Sequence, residues 1–304
     1  MNKKLIRFDW AVKKLLRNKA NYGVLEGFLS ELLFDDIRIE KILESEGNQE
    51  TEDDKRNAAR FNRVDILTQN SKNELIIIEI QNTYEIDYFQ RMAYGASKAM
   101  TENFNLGQEY IEIKKIISIN IVYFDLGQGY DYVYKGGTVF KGLHQNDTLT
   151  LSSKQQTAFL KENISDLFPE YYIIKVNKFN NIATDSLDEW IYFLKNSEVK
   201  DGFKAKGLKQ AGEVLDIMRL NQDEQYSYNR YMEYLSYKAS EVFTLKLEAE
   251  EKVREDERII NKKRNQIEFS ERLISKGFDN ANIAELTELS IVEIDKIRVL
   301  LAKN

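Results

Sequence analysis

Residues 63–81, RVDILTQNSKNELIIIEIQ, contain Asp65, Glu79 and Gln81 in two strand-like runs joined by a polar turn. Glu79 interrupts a run of branched hydrocarbon, where an unpaired carboxylate costs several kcal/mol. Alternation along a strand puts Leu75, Ile77, Glu79 and Gln81 on one face, and Ile76, Ile78 and Ile80 on the other. Opposed residues of an antiparallel pair share a face, with Cβ atoms ~5 Å apart. If residue 70 opposes 74, Asp65 stands opposite Glu79; if 69 opposes 74, Asp65 falls on the wrong face. Two carboxylates that close repel each other unless one keeps a proton or a cation lies between them.

A divalent ion answers that repulsion, with the Ile80 carbonyl as a third oxygen. Such an ion lowers the pKa of bound water and offsets charge on a phosphate. Gln81, on the same face, would orient the attacking water or bond a phosphate oxygen. The competing reading is structural: an ion pair between these acids and Arg63 or Arg91.

The elements that must position these groups follow from periodicity. Helical spacing covers 9–17 (DWAVKKLLR), with Asp9 as its N-cap, and 23–34 (GVLEGFLSELLF). A strand is expected at 37–43, an exposed loop at 46–62, and hairpin strands at 64–69 and 74–81. The next helix, 88–107, carries Ala93, Gly95, Ala96, Ser97 and Ala99 for close packing on a sheet, and Gly107 as its C′ residue. Strand 114–124 then completes a βαβ crossover, parallel to 75–80. Further strands lie on either side of the lone Pro169, a helix covers 187–196, and nothing after about 207 resembles a strand. Residues 241–272 read as one long charged helix stopped by Gly277, followed by two short helices. A boundary near 200 divides residues 1–200 from a helical extension over 201–304.

Composition narrows the chemistry. The chain has 304 residues, 42% hydrophobic and 31% charged, with 17 Tyr and 16 Phe, enough for substantial cores. Cysteine is absent, which excludes disulfides and thiolate chemistry and suggests a reducing, cytoplasmic setting. With one histidine, His144, zinc has few ligands, so a metal site would be built from oxygen and take magnesium, manganese or calcium. A net charge of −6 and a pI near 5.3 confine any nucleic-acid surface to a local patch. No apolar run approaches the ~20 residues of a bilayer span. The basic start MNKKLIRFDWAVKKLL has no signal-peptide core and reads as mature sequence.

Asp65, thirteen intervening residues, then Glu79-Ile80-Gln81 closing an isoleucine run resembles the PD-(D/E)XK nuclease core. The likeness is to the Rpn-type, recombination-promoting nuclease and transposase branch. It extends over residues 5–200 through FDWAVKKLL, FLSELL, VDIL, IIIEIQ, FQRMAYGASKAM, EYIEIKKIISINIVYF and LDEW. It implies a restriction-endonuclease-like α/β fold, a mixed sheet flanked by helices, with an all-helical extension. It also implies a DNA endonuclease dependent on Mg2+ or Mn2+, with Asp65 and Glu79 holding the ion. Gln81 takes the place of the superfamily's usual lysine, which removes a charge that would stabilise the phosphorane. Neither a membrane nor a nucleotide cofactor is implied.

Other residues carry weaker signals. Relatives often place an acid on the first helix, for which Asp9, Glu26 and Glu31 compete; the structural readings, Asp9 as a helix cap and Glu31 as a solvated helix residue, are favoured over that role. Lys13 and Arg91 are candidates for phosphate contact, against the ordinary reading of surface bases. His144 follows KGGTVFKGL and reads as a loop residue. IAELTELSIVEIDKI resembles a helix-turn-helix. Its surroundings, 279–304, hold five acids against three bases, so self-association through helix 241–272 as a homodimer is favoured over reading DNA. Two rival functions stand beside the nuclease: a catalytically silent DNA- or partner-binding relative, and a structural oligomerisation protein.

Overall fold

The computed structural model describes residues 5–14, 16, 18–45 and 65–302. The expected loop at 46–62, Arg63 and Val64 lie outside that set. By backbone contacts the chain divides into two units, Met1–Tyr226 and Ser227–Asn304.

The first unit is built on a six-stranded sheet of order β1-β2-β3-β4-β6-β5. Its strands are β1 (Ile39–Ser45), β2 (Ile66–Asn70), β3 (Leu75–Gln81), β4 (Ile116–Val122), β5 (Val133–Gly136) and β6 (Glu170–Lys175). β1, β2 and β3 are antiparallel neighbours, β3–β4 and β4–β6 are parallel, and β5 closes the edge antiparallel to β6. The helices are α1 (Phe8–Lys14), α2 (Tyr22–Leu33), α3 (Tyr88–Glu102), α4 (Ser153–Phe159), α5 (Ser186–Asn196) and α6 (Leu208–Val214). This is the expected mixed sheet with flanking helices.

Central strands buried on both faces must be rich in branched hydrocarbon, and β3 and β4 are. On one face Leu67, Leu75, Ile77 and Ile116 pack against Ala96 and Ala99 of α3, whose small side chains let the helix lie close. Ile76, Ile78 and Ile80 on the other face are buried as well. A second helical layer is knit by the edge-on rings of Phe8, Phe28, Trp190 and Phe193 from α1, α2 and α5. α2 meets the turn before α6 so closely that a Cβ on Gly27 would fall 2.3 Å from the Lys206 carbonyl oxygen.

Two local expectations are corrected. Asp9 is not the cap of α1, which starts one residue earlier; it lies in the first turn. α3 ends at Glu102 with Asn103 as its cap, and Gly107 (φ 94°) sits in the loop beyond. Asn103 closes the helix by donating its side-chain amide to the Ala99 carbonyl, a service no sequence period announces.

The second unit takes up most of α7 (Gln222–Ser275), with α8 (Asn280–Thr287) and α9 (Ile291–Leu301). Gly277 (φ 85°) follows the end of α7, as expected, its N–H bonded to the Ile274 carbonyl. Asp279 caps α8, and a Ser290–Glu293 capping box starts α9. Leu273, Ile283, Leu289, Ile294 and Ile297 form its small core. No described helix is long and apolar enough to cross a membrane.

Candidate active site at the end of the central hairpin

The turn sets the register. Asn70 accepts from the Lys72 and Glu74 N–H groups through Oδ1, and Asn73 takes a left-handed conformation (φ 62°). The Asn70 N–H then reaches the Glu74 carbonyl at 3.1 Å, so residue 70 opposes 74. Gln69–Leu75 through Ile66–Ile78 follow in step, which sets Asp65 opposite Glu79. Of the two registers open to the sequence, the hairpin adopts the one that brings the carboxylates together.

Both acids are buried, Asp65 at 4% and Glu79 at 8% exposure. Where β2 ends, Asp65 Oδ2 takes over the ladder and accepts from the Ile80 N–H at 2.6 Å. The Asp65 N–H lies 3.3 Å from Glu79 Oε2. N–H and C=O of one strand residue project from the same edge, so the Ile80 carbonyl also faces Asp65. Two carboxylates and a carbonyl at one strand end are hard oxygen donors of the kind magnesium or manganese takes. Among the described residues, no group of three or more His, Cys, Asp or Glu side chains is placed to hold a metal.

A cation is nonetheless at hand. Arg91, one turn into α3, gives Nη2 to Glu79 Oε1, and Nη1 to both oxygens of Glu85 at 2.8 and 3.0 Å. Burial pulls its pKa down, but Glu79 and Glu85 more than offset this and hold it above the ordinary value. Gln81 donates Nε2 to Glu85 as well. Beneath them Tyr88, wholly buried, donates to Asn120 at 3.3 Å. Burial first, and the Glu79 charge second, push that phenol far above its usual range, so it acts only as a neutral donor.

Asp9 reaches the same strand end from α1. It is 2% exposed, is forked by the Arg7 guanidinium, and accepts from the Asn82 amide at 3.0 Å. Asn82 in turn accepts from Arg7 Nη2 at 3.1 Å, and Arg7 lies 5.2 Å over the Tyr123 ring. Burial, then Asp9, raise the Tyr123 phenol.

The fold therefore gathers Asp65, Glu79, Gln81, Arg91 and Asp9 at one end of β3. It does not bring Glu31 there: that carboxylate accepts from Ser186 Oγ and the Lys206 N–H, tying α2 to α5 and the α6 turn. Glu26 likewise serves structure, accepting from the Ile39 N–H at 2.8 Å. Lys13 lies on α1, and its side chain falls outside those described. His144 is exposed in the loop before α4. Arg7, Asn82, Glu85 and Tyr88 escaped the sequence reading. Asn82 directly follows Gln81 and Glu85 shares its loop, so proximity to the motif was the signal available.

A family model described as PD-(D/E)XK nuclease family transposase matches residues 6–244. No curated protein and no solved structure matches the chain.

Proposed function

The chain belongs to the PD-(D/E)XK nuclease family transposases, and from that membership we propose that it is a divalent-metal-dependent DNA endonuclease of recombination or mobile-element type. The observation that carries the reading is the hairpin register, which sets Asp65 opposite Glu79 with the Ile80 amide bonded between them. Asp65, Glu79 and the Ile80 carbonyl would hold Mg2+ or Mn2+. Bound there, the ion supplies an acidified water and a counter-charge for the phosphate.

The chain's own residues do the rest. Gln81 spends its Nε2 on Glu85, which leaves its carbonyl oxygen to accept from and aim a water. An amide cannot take the water's proton, so Gln81 orients and does not act as a base. Arg91 offers a permanent charge from α3 in place of the lysine that β3 lacks, and Lys13 is assigned to the DNA backbone. Asp9 is the accessory acid, delivered by α1 and oriented by Arg7 and Asn82. Glu31, the other accessory candidate, would support the site only by holding α2 to α5.

Supercoiled plasmid incubated with Mg2+ or Mn2+ tests this. Wild type nicks it, and Asp65→Asn and Glu79→Gln lose at least about 100-fold in rate, the scale of losing a preorganised electrostatic group. Cleavage unchanged in both variants would reject the assignment. The second reading, a silent DNA-binding relative, is favoured by Gln81 in the lysine's place and by Arg91 already seated on Glu79. Metal-dependent binding without nicking selects it.

Hydrolysis at one site cuts one strand, so a homodimer would suit double-strand cleavage. The surface proposed for it is α7, where Val253 and Ile260 stand more than half exposed one heptad apart. Sedimentation compares wild type with Val253→Glu/Ile260→Glu; an unchanged mass refutes dimerisation through this helix.

A further inference from the structure

The loop between β3 and α3 carries a carboxylate that no motif assigns. Glu85, with 31% of its side chain exposed, binds Gln81 Nε2 through Oε1 and takes Arg91 Nη1 on both oxygens. The guanidinium is therefore held at two ends by two different acids: Nη1 on Glu85, Nη2 on Glu79. That division matters. An arginine held by Glu79 alone would lose its seat whenever a cation claimed that carboxylate. With Nη1 anchored separately, Nη2 can leave Glu79 while the guanidinium plane stays put. The same carboxylate also fixes the amide of Gln81, so the group aimed at water and the group aimed at phosphate share one support.

We propose that Glu85 is the positioning residue of this site: it keeps Arg91 in place when Glu79 turns to a divalent ion, leaving Nη2 for a phosphate oxygen of the DNA. The inference rests on the metal-nuclease reading above. It makes a prediction whose sign runs against simple electrostatics. Removing an acid beside bound DNA ordinarily tightens binding. Here Glu85→Gln weakens it, because the arginine loses its anchor.

The test uses the full-length protein and a short DNA duplex, with Ca2+ in place of Mg2+, and reads the dissociation constant over a salt series. Glu85→Gln is expected to weaken binding about tenfold, as losing a charge-assisted hydrogen bond would. It also lowers the salt slope by about one, as Arg91→Gln does, because one phosphate contact goes. In the Arg91→Gln background, Glu85→Gln leaves binding unchanged or tightens it. Glu85→Asp, which keeps the charge, recovers part of the affinity and serves as the second variant should Glu85→Gln melt early. Binding that tightens or holds with Glu85→Gln in the otherwise wild-type chain overturns the inference alone. Binding indifferent both to Ca2+ and to Asp65→Asn overturns the metal-site reading, and the inference with it.

Discussion

Ion pairs occur in both units of this chain, and they differ in how far they are withdrawn from water. At the end of β3, Arg91 is divided between Glu79 and Glu85, and Arg7 between Asp9 and Asn82, with the acids largely withdrawn from water. In the helical unit, Lys262 meets Glu288 and Lys263 meets Glu293, one base to one acid, and Glu250 is shared by Lys246 and Arg254, but every one of these side chains is at least 39% exposed. The residue types are the same. What separates the two regions is burial: a pair withdrawn from water is screened less and depends more on every partner it has.

Three substitutions measure that contrast. Arg91→Ala should have the largest effect: about tenfold or more is lost in nicking rate, and melting drops by several degrees as Glu79 and Glu85 are left facing each other, read by plasmid assay and calorimetry. An Arg91→Ala protein that nicks at the wild-type rate would reduce the cluster to an ordinary ion pair.

Glu170 on β6 is an intermediate case. Burial pushes its carboxyl up, but hydrogen bonds from Lys115, Lys135 and Tyr172 win and hold it down to about 2, against an ordinary 4.5. A depressed folded pKa means stability that is present above pH 4.5 and disappears as pH falls through 2. Glu170→Gln should therefore lower the melting temperature by a few degrees at neutral pH. The gap should narrow in acid and close near pH 2. A gap independent of pH would point to lost packing.

Glu293 should show the smallest effect. Lys263 and the Ser290 amide hold its carboxyl down to about 2 as well, yet its side chain is 39% exposed on the helix surface, and solvent screens the gain. Glu293→Gln can still complete the capping box with Ser290, so it removes charge alone. Its melting curve should overlay the wild type's; a resolvable shift would mean that exposed pairs carry more here than their setting allows.

The sequence made β2, β3, α3 and β4 legible because alternation, an isoleucine run, small helix residues and a crossover all point the same way. The opposition of Asp65 and Glu79 was readable as one of two registers, and the Asn70 and Asn73 turn decides between them. Arg91 entered the reading both as an ion-pair partner and as a phosphate contact; its joint seat on Glu79 and Glu85 depends on how α3 lies across the sheet, which periodicity does not encode. Asp9 was misread locally as a cap because α1 starts one residue earlier, at Phe8, and its carboxylate turns instead to Arg7 and to Asn82, 73 positions away. Glu31 shows the reverse: a helix acid of suitable type whose partners, Ser186 and Lys206, lie at the far end of the unit's sequence.

The three residues between Asn70 and Glu74 have one more implication, for how this lineage can vary. Their identities are open to drift wherever an asparagine-like left-handed position survives. Their number is not: adding or deleting one would slide β2 by a step and turn Asp65 toward the opposite side of the sheet, with every neighbouring side chain. A gap at this turn in any descendant would thus mark a hairpin in which the two carboxylates no longer meet.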